Sequence, residues 1–505
     1  MNKVTIRLMI ITLISKLFGF ARDITLSYFY GASAVSDAYL ISLTLPETIF
    51  GFVATGISTG YIPLYTQIVH DQDEGAGNIF TNNLMNIVFF FSLTVLLVTY
   101  YFTPQLIDIL AAGFDGETRT LAVILSRISI FSIYFTAMIS LFSGFLQIKG
   151  KFEVPALIGF PLNIITVISI VISYYTNVRV LGFGMLLAVI SQVLILLPFV
   201  FRSGYKYLPY LNIKDPGLLR LITIALPVIF GTSVNQINVI VDKTIASSIS
   251  VGGISSLNYG YMIVFFVQGL FVLPITQIMY PTISVLIADH QLEKIKKVIA
   301  ESVVSVFLLV IPATVGLYVL SRPIIELLYG RGNFDEEAIQ LTTSALSYYT
   351  LGIVGFGLRE LYSRAFYALQ DSKTPMINAT IGVVINIVLN LLISQWIGIG
   401  GLALATSISA SVTSFLLIVS LRKRIGNLGM KTIISKSSII IISSLVMGVG
   451  VHFLYQFMMN RTGNLISLLT SVLIGAIIYL IMLLCLGFED VSSMIKRFNK
   501  GPKKN

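Results

Sequence analysis

Eleven ionisable side chains sit where the sequence is otherwise apolar: the cations Lys16, Arg22, Arg127, Lys243, Arg359 and Arg364, and the acids Asp23, Asp37, Glu47, Asp242 and Glu360. A charge at the centre of a bilayer costs about 2.5–3.5 kcal/mol on insertion scales, so each needs a partner or a wet cavity. Lys16 lies about nine residues beyond Arg7, roughly 13 Å along a helix, which is near mid-membrane. Arg22 follows about 120° further round the same helix, and Gly19 between them offers a place to bend. These two cations either border one broad cavity or pair with Asp23, Asp37 or Glu47 as interhelical glue. Asp242 and Lys243 are neighbours about 100° apart and cannot simply neutralise each other, so one faces a cavity and the other a neighbouring helix. Glu360 and Arg364, spaced i,i+4 in the favourable order, read as a local ion pair. Arg127 has no acid close by in sequence and, with Arg359, is a further cavity candidate.

The elements that must hold these groups are membrane helices. The chain has 505 residues, 56% hydrophobic and 11% charged, against about 25% charged in soluble domains. Its mean hydropathy is +0.90. No polar stretch is long enough to fold alone, which excludes a separate soluble enzymatic domain. The only cysteine, Cys485, excludes an intrachain disulfide and a cysteine-based metal cluster. His70, His290 and His452 are scattered, and no zinc-protease, nucleophile-elbow or P-loop pattern occurs. No cofactor is expected, and hydrolase and ATPase chemistry drop away.

Apolar windows predict fourteen spans, near residues 4–30, 34–68, 80–103, 118–148, 154–175, 180–201, 217–247, 254–287, 296–320, 337–369, 375–394, 398–421, 434–458 and 464–487. Several exceed the length needed to cross and must tilt, break or project into water. Pro46, Pro63, Pro274 and Pro281 are the kink sites. The first run lacks a cleavage site and reads as a retained helix. With both termini cytoplasmic, 22 lysines and arginines fall in cytoplasmic segments. Only Arg119, Arg179, Arg322, Arg331 and Arg461 fall outside. That bias matches the positive-inside rule and supports an even helix count. The net charge of +10 therefore reflects topology and anionic lipid headgroups, with no basic domain for nucleic acid.

The chain also resembles itself at an offset near 218 residues. Pro63 matches Pro281, Pro104 with Gly113-Phe114-Asp115 matches Pro323 with Gly332, Phe334 and Asp335, and Leu181-Gly182 matches Ile399-Gly400. The expected organisation is a six-helix bundle over 1–205, a second, parallel copy over 206–425, two additional helices over 426–487 and a basic cytoplasmic tail over 488–505. Two such bundles meeting at a cleft are the usual basis of alternating access.

Several segments carry a resemblance: "SKLFGFARD" (15–23), "GASAVSDAY" (31–39), "GYIPLYTQ" (60–67), "NQINVIVDKTIAS" (235–247), "LNYGY" (257–261) and "SRAFYALQDSKTP" (363–375). Together they resemble the MurJ/MviN family of lipid-linked saccharide flippases, within the multidrug/oligosaccharidyl-lipid/polysaccharide exporter superfamily. The resemblance implies an all-α, 14-helix membrane protein with two pseudo-symmetric bundles around a central cavity, placed in the bacterial cytoplasmic membrane. It implies an undecaprenyl-pyrophosphate-linked glycan as substrate, loaded inside and released outside, and no enzymatic activity. On this reading Lys16 and Arg22 bind pyrophosphate, with Asp23, Asp37, Arg127, Asp242, Lys243 and Arg359 as further substrate-binding candidates. Asn163, Asn235, Gln236, Asn238, Asn258 and Tyr259 are polar groups available to sugar rings. Glycan-synthesis and polymerisation proteins are expected partners besides lipid, and a coupling ion such as Na+ or H+ is left open.

Departures from the family pattern bear on the substrate. Lys16 stands where the family has arginine. Glu47-Thr48 stands where it has an arginine pair, and Met262 where it has another arginine. Lysine does not reproduce the bidentate fork of arginine on a phosphate. An exopolysaccharide repeat unit is therefore expected ahead of lipid II, with a drug/cation antiporter of the same superfamily as a further alternative.

Overall fold

The computed structural model describes residues 3–488, and among these every regular element is a helix. The first ten are α1 (Lys3–Tyr30), α2 (Ala34–Asp71), α3 (Glu74–Tyr101), α4 (Thr103–Leu110), α5 (Gly116–Ser129), α6 (Ser132–Ile148), α7 (Glu153–Leu157), α8 (Gly159–Tyr175), α9 (Val180–Arg202) and α10 (Pro216–Ile249). They are followed by α11 (Gly253–Ala288), α12 (Leu292–Val319), α13 (Ser321–Leu328), α14 (Glu336–Thr350), α15 (Ile353–Ala368), α16 (Lys373–Ile397), α17 (Ile399–Ile425), α18 (Met430–Thr462) and α19 (Asn464–Cys485). The cationic tail expected after residue 488 lies outside the described residues, as does the side chain of Asn235.

Ten of the helices are long and apolar enough to cross a membrane, and α5 with α6, bent by 42°, forms an eleventh span. Helices α1, α10 and the pair α14 and α15 cover the other three stretches of the expected fourteen, so that eleven spans pass on length and apolarity among the described residues. The stretch expected as one helix over 118–148 breaks at Ile130–Phe131 without proline or glycine. There the Ser129 hydroxyl donates to the Ser42 carbonyl at 2.6 Å, tying the bend to α2. Prolines 46 and 63 lie within continuous α2, and Pro274 and Pro281 within continuous α11.

The repeat is visible element by element. Helices α3 and α12 are both 28 residues long and start at 74 and 292, an offset of 218. The short helices α4 and α13 are both eight residues, at the same offset (103 to 321). Each carries a proline near its start, where the missing N–H costs nothing.

The chain divides into two compact units, Met1–Ser255 with Arg331–Ala338, and Ser256–Gly330 with Ile339–Asn505. In the first, α2 is the central element and packs against α3, α5, α6 and α10, while α8 lies between α1 and α9. Small residues let these backbones approach: a methyl at Gly56 would stand 3.0 Å from Ala225 Cβ, and one at Gly184 2.0 Å from Ser169 Cβ. In the second unit α16 and α17 pack together, α15 joins α12 and α17, and α18 pairs with α12 and α19. The outer surface is apolar: Phe89, Phe90, Phe91, Leu97 and Trp396 are all exposed, as lipid-facing side chains are.

Candidate functional site

On α1, Arg22 turns back on its neighbour: Nε and Nη2 both donate to Asp23 Oδ1, at 3.0 and 2.9 Å. Asp23 is buried, and its Oδ2 takes no hydrogen bond from the described residues. Arg22 keeps about a quarter of its side chain exposed (26%), so the pair is a neutralised group with an accessible cationic edge. Lys16 lies two turns earlier and is half-buried. Beside it, Ser15 and Gly19 face α8: the Asn163 amide donates to the Ser15 carbonyl at 3.4 Å and to Gly159 at 2.8 Å. Asn163 therefore serves helix packing in this structure.

Asp37 lies in the first turn of α2 and is wholly buried. It accepts from the Gly252 amide (2.9 Å), the Ser255 amide (2.8 Å) and the Ser255 hydroxyl (2.7 Å). These are the unsatisfied donors at the start of α11, so Asp37 caps a helix that begins more than 200 residues away. Two turns further along α2, Lys243 of α10 donates to the Thr44 hydroxyl, with Glu47 and Asp37 close enough to attract its charge. Its neighbour Asp242 accepts from Asn238 within α10 at 3.4 Å. The two adjacent charges thus take different partners, as their angular separation requires.

The other candidates make contacts of their own. Arg127 on α5 lies over the Tyr100 ring, 5.1 Å from its centre, and its buried Nε–H donates to no acceptor among the described residues. Arg359, in the second unit, lies 5.7 Å from the Phe356 ring centre. Glu360 and Arg364 make the local pair, at 2.6 Å. Tyr259 packs on Tyr329, ring centres 5.0 Å apart. No group of three metal-binding side chains occurs among the described residues.

Within the first unit two loops bond reciprocally to distant helix ends. Gly113, after α4, donates to the Ser247 hydroxyl at 3.1 Å, and a methyl there would lie 2.2 Å from the Ser247 carbonyl oxygen. Its repeat counterpart Gly332 would place a methyl 2.1 Å from the Tyr28 carbonyl oxygen, and Asn333 bonds Tyr28 and Phe29 at 2.9 and 2.7 Å. Each loop therefore clasps the junction before the other repeat's second helix. Nearby, Arg119 grips Asp108 with two bonds (2.6 and 2.9 Å), and the hydrogen bond holds that carboxyl below the usual range.

In the second unit the "LQDSKTP" segment is a capped turn. Asp371 accepts from the Thr374 amide (3.0 Å) and hydroxyl (2.8 Å) and pairs with Arg424, whose Nη2 also donates to the Leu369 carbonyl. Burial alone would raise the Asp371 carboxyl, but the Thr374 bonds and the Arg424 charge outweigh it and hold it low.

The sequence profile described as "Lipid II flippase MurJ" matches residues 26–490. The chain belongs to the MurJ family. It is accordingly a multi-pass membrane transporter and not an enzyme. A probable lipid II flippase MurJ of Vibrio cholerae serotype O1 is 29% identical over 80% of both chains. The lipid II flippase MurJ of Burkholderia cenocepacia is 28% identical over 82% of both. A solved MurJ structure, in an inward closed conformation, superposes with a TM-score of 0.82 at 27% identity, covering 94% of this chain and 98% of its own. An inward-facing multidrug resistance MATE family transporter shares the fold, with a TM-score of 0.72 at 15% identity over 85% of this chain and 99% of its own.

The cap between Asp37 and Ser255 was not foreseen from the sequence, where Asp37 entered only as a substrate contact or a partner for a cation. The signal available was the repeat itself, which places both residues at one equivalent position.

Proposed function

We propose that this chain flips lipid II, the undecaprenyl-pyrophosphate-linked peptidoglycan precursor, from the inner to the outer leaflet of the bacterial cytoplasmic membrane by alternating access. The observation that carries this reading is similarity over 80–94% of the chain to proteins named as probable or established lipid II flippases, combined with a cationic set on α1 and α10. Arg22 and Lys16 are the pyrophosphate contacts: Arg22 offers an exposed edge while Asp23 offsets its charge, and Lys16 supplies a point charge deeper in the span. Lys243, held beside Thr44 one turn before Glu47-Thr48, supplies a cation at the level where the family pattern would have arginines. That compensation moves the substrate reading from an exopolysaccharide unit back to lipid II. Asp37 and the Gly113 and Gly332 loops tie segments of the two repeats together at the outer end, with both termini cytoplasmic.

A second reading has one observation behind it. Glu47 is exposed on α2 and negative where an arginine would favour pyrophosphate, which suits a different lipid-linked glycan such as an exopolysaccharide repeat unit. Complementation separates the two. Rescue of a strain depleted of its own lipid II flippase supports lipid II, and failure to rescue with inserted, abundant protein favours the other glycan.

A further inference from the structure

Four asparagines interrupt the first half of α3: Asn78, Asn82, Asn83 and Asn86. In an apolar span such residues need a reason, and the structure supplies one. The connector 203–215, which joins α9 to α10, lies along α3 without secondary structure of its own, and the four amides bond it in register. Asn78 donates to the Gly204 carbonyl at 3.3 Å. Asn82 donates to Lys206 at 2.8 Å and accepts from the Tyr205 hydroxyl (2.8 Å) and the Leu208 amide (3.1 Å). Asn86 donates to the Tyr210 carbonyl at 2.9 Å and accepts from the Tyr207 hydroxyl at 3.0 Å. Asn83 exchanges both its amide groups with the Asn212 backbone, at 2.9 and 2.7 Å.

The chain thus climbs α3 from Asn78 to Asn86, about 12 Å at 1.5 Å per residue, turns at Leu208-Pro209-Tyr210, and returns past Asn83. Irregular backbone is tolerated at membrane depth only where protein groups satisfy its N–H and C=O. On a wet surface water would do this, and a row of asparagines would have no task. The side chains point to the same environment: Tyr207, Leu208, Tyr210, Leu211 and Ile213 are all exposed, the last at 70%. Asn86 is one helical turn from Phe89 and Phe90, so the apex continues the lipid-facing surface of α3. Exposed Lys206 and Lys214 flank the segment, where headgroup phosphates would lie.

We propose that residues 207–213 form an interfacial wedge, inserted between the headgroups and acyl chains of the leaflet nearest the start of α3, and held at that depth by the asparagine ladder. The partner is the bilayer itself, with anionic headgroups against the two lysines. The wedge anchors the connector between the repeats to α3 and so fixes where α10 begins.

The test uses the full chain in vesicles of phosphatidylglycerol and phosphatidylethanolamine. Trp396 is the only tryptophan, so Tyr210→Trp in a Trp396→Phe background gives one reporter. Lipids brominated high on the acyl chain should remove most of its emission, and aqueous iodide should remove little. Adding Asn86→Leu should release the apex, lowering the bromolipid quench and raising the iodide quench. Strong iodide quenching without a bromolipid effect in the unsubstituted ladder would overturn the wedge. An unchanged profile in Asn86→Leu would overturn the ladder's role. Should the tryptophan variant fail to fold, a nitroxide on Ile213→Cys in a Cys485→Ser background reads the same depth. Oxygen should then relax it more than a nickel chelate does, and the reverse order contradicts the proposal.

Discussion

Asp37 and Ser255 stand 218 residues apart, at equivalent positions of the two repeats, and are bonded directly to each other. The first repeat contributes a carboxylate and the second a hydroxyl and an amide. A symmetric pair would place two acids or two hydroxyls face to face, so the divergence of the repeats is what makes the bond. Bonds to an ionised group contribute about 1.5–3 kcal/mol each, and this carboxylate takes three.

Asp37→Ala should therefore abolish flipping, because it leaves the Gly252 and Ser255 amides at the start of α11 without their acceptor. Ser255→Ala removes one bond and keeps the Ser255 amide donating, so transport should fall only in part. Outer-leaflet appearance of the lipid-linked substrate, normalised to protein abundance, checks this order. Equal activity of the two variants would refute it.

Gly332→Ala and Gly113→Ala should each displace a clasping loop, since the new methyl would lie 2.1 and 2.2 Å, respectively, from a carbonyl oxygen, well inside van der Waals contact. Gly332 also has φ +67°, which adds the cost of a left-handed alanine, so its substitution should be the worse. Gly316→Ala, with nothing within 4 Å in α12, should be neutral or stabilising by up to about 1 kcal/mol. Thermal unfolding in detergent reads all three.

Arg22→Ala leaves Asp23 buried beside no counter-charge, a loss on the order of 3–5 kcal/mol for a buried pair, so the single variant confounds folding with binding. The Arg22→Ala/Asp23→Asn double variant should restore abundance and remain inactive. Lys16→Ala should abolish export with normal insertion, and Lys16→Arg should be tolerated. Activity in the double variant would remove Arg22 from the substrate site.

Asp371 gives a pH signature. Its carboxyl is held below the ordinary value, so the contribution of the turn to stability is complete above the unfolded value near about 3.9 and fades as pH falls towards the folded one. Unfolding temperatures of the native chain should drop across that acid window, and Asp371→Asn should start lower and drop less. Parallel curves would contradict the assignment.

Much of this organisation was legible in the sequence because membranes constrain it strongly. Apolar length placed the long helices, and the matching prolines and glycines exposed the repeat. The local pairing of Glu360 with Arg364 followed from i,i+4 spacing alone. Contacts between a side chain and a distant backbone were not legible. Nothing local tells that Asp37 will meet the amides of Gly252 and Ser255, or that Asn82 and Asn86 will bind a connector more than 120 residues away. The break at Ile130–Phe131 was hidden for a related reason: no proline or glycine marks it, and the anchoring Ser129 bond is tertiary.

The most direct test of lipid II flipping is to express this chain in cells depleted of their own flippase and measure how much lipid II becomes accessible to a lipid II-cleaving toxin added outside. Restored cleavage, lost again in the Arg22→Ala/Asp23→Asn variant, is the predicted result. Lipid II that stays protected while the protein is abundant and inserted would contradict it.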